Sequence, residues 1–276
     1  MASEKSLAIV LRVTEYSETS CIVNLLTREF GRIGAIAKGA RRPKSPFSAA
    51  IDVLAVCQIV FINKPSALSI LTEAKLERRF RAGETDLKRL YAGYYVIELI
   101  RTLTNEGDRS PELFDLTHKI LVQLDEGVFS ENELNHRLLL FELSLLDLLG
   151  QLPMLTRCVS CGREKTMLSE VNFGLNAGGV LCQTCRRGKP NVVQVSLAGF
   201  QSLLDLAGAQ IGQQESNSDN WNQAHQIKER RERSWTSMKM KPTSADDLSE
   251  ISDLIRLYIT HLLGYPPKLY SFMKQL

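Results

Sequence analysis

The chain has 276 residues, with 34 Lys+Arg against 31 Asp+Glu, a formal net charge of +3, 44% hydrophobic and 24% charged residues. Such values belong to globular chains and exclude whole-chain disorder; the length calls for two or three domains with a real core. The longest apolar stretch, 138–149, is interrupted by Glu142 and Asp147 and is too short for a bilayer, while the run 7–11 is too short for a secretory signal.

Residues 1–82 carry a net charge of +6 and read as strands. Segments 5–13, 20–27, 32–38, 51–62 and 67–76 are rich in Val, Ile, Leu and Thr, with turn signals at Phe30-Gly31-Arg32 and around Pro43 and Pro46. Five short strands with a long fourth predict an OB-fold barrel over residues 1–82. Segment 51–62 is apolar at both alternating sets of positions, so its outer face is expected to pack on a neighbouring domain. Cys21 and Cys57 fall in apolar strands and read as small core residues.

Six basic residues, Arg28, Arg32, Lys38, Arg41, Arg42 and Lys44, face one acidic residue, Glu29, in the stretch 28–44. Composition alone describes a solvated loop, but on an OB-like barrel the same cluster fits a single-strand binding surface. Few aromatic residues accompany it, so phosphate contacts are expected to dominate, with weak sequence preference and strong salt dependence.

Residues 83–150 reverse the charge to −7, and the period becomes helical from Leu87, with apolar positions through Leu103. Ser110-Pro111-Glu112 opens a second helix to about Leu124, and the capping box Ser130–Glu133 starts a third that ends before Gly150. The tyrosines and leucines of these segments read as core. The expected helical domain comprises residues 83–152 and 196–276.

Residues 153–195 return to +4 and contain Cys158-Val159-Ser160-Cys161 and Cys182-Gln183-Thr184-Cys185. Two C-x2-C pairs separated by 20 residues form a zinc-ribbon pattern, since each short spacer curls two thiolates toward one ion. Two disulfides are the competing reading; without a secretion signal, reduced thiols and one structural Zn2+ per chain are expected. Four thiolates leave no open position for catalysis, and residues 167–180 read as a hairpin. Arg157, Arg163, Lys165, Arg186, Arg187 and Lys189 give this finger its own basic set, of which Arg163, Lys165, Arg186 and Arg187 are DNA-binding candidates.

Residues 213–247 are polar and nearly free of aliphatics, and the mixed-sign run 228–233 favours a solvated segment over a second DNA contact. Ser244-x-x-Asp247 then caps a helix over 248–263. No catalytic set emerges. Gly34–Gly39 has the glycine spacing of a P-loop, yet Ala40-Arg41 stands where Lys-Ser/Thr is required. Neither His118 nor His136 has the His-x-Glu arrangement of zinc deaminases. The chain is therefore expected to have no enzymatic activity and no small-molecule substrate.

The stretches Leu25-Leu26-Thr27-Arg28-Glu29-Phe30-Gly31-Arg32-Ile33 and Ala37-Lys38-Gly39-Ala40-Arg41-Arg42, together with Leu90-Tyr91-Ala92-Gly93-Tyr94-Tyr95, the four cysteines around Gly178-Gly179 and the terminal segment 269–276, resemble the RecO family of bacterial DNA repair and recombination mediators. The resemblance spans nearly the whole chain. It implies an α+β multidomain protein with an N-terminal five-stranded OB-fold barrel, an α-helical domain and an inserted four-cysteine zinc ribbon. It also implies a cytoplasmic, nucleoid-associated protein that binds single- and double-stranded DNA and anneals complementary strands. RecR and single-strand-binding protein are the implied partners, with RecA loading at gaps as the outcome. Competing readings are a zinc-ribbon/OB interaction module of a transcription or ribosome accessory factor, and a metal-dependent nuclease.

Overall fold

A computed structural model describes residues 3–42, 45, 47, 50–64, 67–164, 170–211 and 244–275. It divides into two compact units, Met1–Phe129 with Leu263–Leu276, and Ser130–Leu262.

The first unit begins with strands β1 (Ser3–Glu15), β2 (Cys21–Thr27), β3 (Gly31–Ala37), β4 (Val56–Ile62) and β5 (Ser69–Arg78). They close in the order β1-β2-β3-β5-β4, with β3 and β5 parallel and the other neighbours antiparallel. That is the OB-fold topology, and closure removes the sheet edges. Ala8, Val10, Val23, Leu25, Ala35, Ile59 and Phe61 fill the interior, with Phe30 edge-on to Phe61 at 5.3 Å. Cys57 belongs to this core, where burial pushes its thiol up to about 12; burial also raises Cys21, with Arg41 opposing.

Two expectations about the fourth strand are corrected. It starts at Val56 rather than residue 51, because residues 51–55 turn through Leu54 at φ 72 and Ala55 N donates to Asp52 O. The longest strand is β1, with 13 residues. Nor is β4 covered on both faces: Gln58 is exposed and Val60 and Ile62 are half-buried. Burial on both faces is found in β1, where Ala8 and Val10 face the barrel core while Ile9 and Leu11 are buried outside that core, and at the end of β2, at Leu25 and Leu26. A bulge between Val10 and Arg12 shifts the register there.

The β2–β3 turn requires Gly31. Thr27 Oγ1 donates to Gly31 O at 2.7 Å and accepts from Phe30 N at 3.1 Å, and Gly31 takes φ 69. A Cβ at this position would lie 2.1 Å from Asp108 O. Gly31→Ala is expected to destabilise the protein by about 1–3 kcal/mol in urea denaturation, through left-handed strain alone and before the clash is counted.

Helices α1 (Leu87–Leu103) and α2 (Pro111–Glu126) follow a 3-10 turn at Ala82–Glu84. Asp86 caps α1 by accepting from Lys88 N and Arg89 N; Ser110 caps α2, with Pro111 in its first turn. Leu54 packs at Gly93 of α1, so the barrel and this helix share apolar contacts. The C-terminal helix, α6 (Lys268–Gln275), also lies on α1. Glu98 accepts from Lys268 N and Leu269 N at 2.9 and 3.0 Å, Tyr91 stacks with Phe272, and Tyr95 meets Tyr270. A carboxylate at a helix N-terminus satisfies free amides and complements the dipole.

In the second unit, α3 (Glu131–Leu148) starts from the expected capping box, Ser130 and Glu133 exchanging hydrogen bonds. Strands β6 (Glu170–Gly174), β7 (Gly179–Leu181) and β8 (Val192–Ser196) form a sheet in the order β7-β6-β8, which adds a strand to the expected hairpin. Among the described residues, helices α4 (Leu197–Ile211) and α5 (Ala245–Leu263) follow. Ser244 Oγ accepts from Asp247 N at 3.0 Å, so α5 begins at Ala245, three residues before the expected start. Most of the expected polar segment 213–247, and Lys44 and Lys165, lie outside the described residues. The buried pair Glu142–Arg256 joins α3 to α5, with Arg256 Nε donating to Glu142 Oε1 at 3.1 Å.

His136 is buried on α3, and burial, assisted by Arg137, holds its imidazole below the ordinary 6.5. The folded protein thus resists a proton that the unfolded chain accepts. Its stabilising contribution is complete above about pH 6.5 and is lost as pH falls through the lower folded value. Thermal unfolding followed from about pH 7 to about pH 5 should show a falling melting temperature, with a shallower fall in His136→Gln.

Candidate metal centre and nucleic-acid interface

Cys158, Cys161, Cys182 and Cys185 place their Sγ atoms within 4.8 Å of one another. Cys161 Sγ and Cys182 Sγ are 3.8 Å apart, the edge of a tetrahedron whose metal–sulfur bonds are about 2.3 Å. The local chain explains this convergence. Gly162 N donates to Cys158 O and Arg186 N to Cys182 O, closing two matching knuckles, with Gly162 at φ 71 and Gly188 at φ 70. Met154 and Val159 bond to Gly178 and Val180, which fastens the first knuckle to β7.

The backbone also aims donors at sulfur. Cys182 N donates to Cys158 Sγ at 3.3 Å and Cys185 N to Cys182 Sγ at 3.4 Å. Burial opposes ionisation of Cys158, but amide donors from Cys182, Cys161 and Ser160 outweigh it and bring the thiol down to about 6. Amide donation from Cys185 lowers Cys182 as well. The Cys185 thiol is pushed up to about 12 by hydrogen bonding to Cys182 and Cys161. Four thiols this close cannot all ionise without a cation among them, and the donor set fits a metal ion.

Asn172 is a site residue that sequence spacing did not single out. It lies on β6, nearly buried; its Oδ1 accepts from Arg186 Nη1 at 2.6 Å and its Nδ2 donates to Gln183 Oε1. The second knuckle is thereby held to the central strand. Only the sheet register could have exposed this role, because Asn172 lies outside both C-x2-C motifs.

The basic candidates separate by environment. On the barrel, Arg28 donates through Nε and Nη2 to Asp115 of α2 at 2.9 and 3.0 Å, and Asp115 raises its pKa. Arg32 Nη1 donates to Arg101 O at the end of α1. Arg41 pairs with Glu15 at 3.0 Å and donates to Ser17 O. Its loop is fixed, with Arg41 N on Thr19 O and Gly39 N on Ser20 Oγ, so residues 38–42 share the end of the barrel occupied by the β1–β2 turn. Lys38 and Arg42 are exposed and have no ion pair among the described residues. On the ribbon, Arg163 and Arg187 are likewise exposed without an ion pair among the described residues, as are Arg157 and Lys189, whereas Arg186 is held by Asn172.

Comparison with known proteins places both halves. Residues 1–80 match the family described as "Recombination protein O N terminal", and residues 84–230 match "Recombination protein O C terminal". A protein named "DNA repair protein RecO" from Rhodopirellula baltica is 43% identical over 203 residues, covering 73% of this chain and 74% of the relative. Proteins of the same name from Halalkalibacterium halodurans and Alkaliphilus metalliredigens are 32% and 33% identical, each over 73% of this chain and over 76% and 82% of their own lengths. Among the described residues, no helix is long and apolar enough to cross a membrane.

Proposed function

The chain belongs to the RecO family, and from that premise we propose that it is a non-enzymatic mediator of DNA repair and recombination. In this reading it binds single- and double-stranded DNA, anneals complementary strands, and acts with RecR and single-strand-binding protein to load RecA at gaps. The cytoplasm, in association with the nucleoid, is its place of action. The metal is a single structural zinc ion held by Cys158, Cys161, Cys182 and Cys185, whose chemistry is to cross-link two knuckles. The proposed organisation remains a barrel at 1–82, a ribbon at 153–195 and helices at 83–152 and 196–276.

The observation that best supports DNA binding is an OB barrel with Lys38 and Arg42 open to solvent at one end. Arg163 and Arg187 offer the same chemistry on the ribbon. Arg28 and Arg41 join this set because their carboxylate partners are replaceable: both pairs are largely exposed, and such pairs contribute about 0–1 kcal/mol. A phosphate can take the place of Asp115 or Glu15. Lys44 and Lys165 belong to the proposal by sequence, and Arg32 and Arg186 act through whatever donors their anchoring leaves.

The test is binding of an oligonucleotide by the full-length protein at several salt concentrations. Arg41→Glu combined with Arg42→Glu is expected to weaken binding about tenfold or more and to flatten the salt dependence. Unchanged binding would remove the barrel surface from the assignment. The wild-type protein is expected to accelerate annealing of complementary strands, and to bring DNA coated with single-strand-binding protein into the reaction. Cleavage of DNA with added Mg2+ would replace this reading with the nuclease one.

A further inference from the structure

Arg12 was not among the residues singled out by local charge, yet the strand register brings it into one group with two other arginines. Arg12 of β1 pairs with Asn24 of β2, and Asn24 with Gly34 of β3. Arg32 lies two residues before Gly34, hence on the same face. Its guanidinium reaches the Arg101 carbonyl at the end of α1. The Arg101 side chain is lowered in pKa first by burial and then by the positive charges of Arg12 and Arg32. The charges of Arg12 and Arg32 thus both act on Arg101, with the Glu98 carboxylate opposing them, and none of the three has a direct ion pair among the described residues. Glu106 faces the same patch, its carboxylate 3.9 Å from where a Cβ of Gly34 would stand.

An exposed aromatic ring lies in the segment that leads into α6 at this end of α1. Glu98, one helical turn before Arg101, holds the amides of Lys268 and Leu269, which brings the preceding segment onto this end of α1. Tyr265 lies in that segment, 48% exposed, and acts electrostatically on Arg101. An exposed ring beside clustered cations is the combination that single-stranded nucleic acid requires: a platform for a base and donors for the backbone.

We propose that Arg12, Arg32 and Arg101, with the ring of Tyr265, form a nucleic-acid subsite in which the guanidiniums hold backbone phosphate and the ring stacks an unpaired base. The inference deepens the DNA-binding reading and rests on it. Arg32 and Arg101 at a helix C-terminus also complement the helix dipole, a role that would need no ligand. The two roles differ in their salt dependence.

The experiment is fluorescence anisotropy of a labelled oligothymidylate of about 16 nucleotides, titrated with the full-length protein across a salt series. Arg12→Gln and Arg101→Gln are each expected to reduce the slope of log K against log salt by about 0.7. Tyr265→Ala should weaken binding about 5- to 100-fold at constant salt slope, with Tyr265→Phe restoring it. Wild-type slopes in both arginine variants, or equal losses in Tyr265→Ala and Tyr265→Phe, would overturn the subsite while leaving DNA binding intact. Failure of the wild-type protein to bind any oligonucleotide would overturn both. Binding of an acidic peptide that the substitutions abolish, with oligothymidylate binding unchanged, would give the patch to a protein partner and overturn the proposal.

Discussion

Cys161→Ser, or removal of the ion by a chelator, is expected to melt the β6–β7–β8 ribbon. Apart from the ion, the knuckles rest on turn hydrogen bonds such as Gly162 N to Cys158 O and Arg186 N to Cys182 O and on the few tethers to β6 and β7, and Cys161 is exposed. Structural zinc sites in zinc-finger peptides contribute about 10–16 kcal/mol near neutral pH, comparable with the whole stability of an ordinary domain. Without the ion, the low pKa of Cys158 and the high one of Cys185 become two ends of a competition for charge among neighbouring sulfurs. The measurements are metal content and amide exchange. One zinc per chain is expected in the wild-type protein and none in the variant, with protection lost at Val171, Phe173 and Val195 and retained in the barrel. A metal-free wild-type protein with a protected ribbon would overturn the zinc assignment.

The second large effect lies at Glu142 and Arg256. Their side chains are 0% and 6% exposed, so the ion pair sits in the apolar contact of α3 with α5. Arg256→Met removes the cation and leaves a buried carboxylate, which is expected to destabilise the protein by about 3–5 kcal/mol in denaturant unfolding. Charge alone should account for most of this, because Met matches much of the volume. The double replacement Glu142→Leu with Arg256→Met is therefore expected to recover most of the loss. A double variant as unstable as the single one would show that shape rather than charge holds this junction.

Features fixed by local rules were legible in the residues. The C-x2-C pairs, the Ser130–Glu133 capping box and Pro111 after Ser110 depend on spacings of two or three residues, and each appears where expected. Strands β2 and β3 were equally visible, since β-branched and aliphatic residues flank the Gly31 turn. Longer-range features were hidden. An apolar run from 51 to 62 gives no sign that Leu54 turns left-handed and packs toward α1 instead of extending the strand. Val192–Ser196 is too short to declare itself, and becomes a strand only by pairing with β6. The partnership of Arg28 with Asp115 spans 87 positions, and a charge count over a short window treats that arginine as open.

The seating of α6 on α1 has a consequence for biosynthesis. The first unit is built from Met1–Phe129 and Leu263–Leu276, with the second unit, Ser130–Leu262, encoded between them. Chains emerge from the ribosome N-terminus first, and early domains collapse before later ones exist. The barrel and α1 are therefore complete while Tyr91, Tyr95 and Glu98 still lack Phe272, Tyr270 and the α6 amides. Throughout translation of the second unit this aromatic strip is open, a place where a nascent chain can recruit a chaperone or associate wrongly with its neighbour on the same messenger. Synthesis of α6, rather than barrel folding, is the event that finishes the first unit.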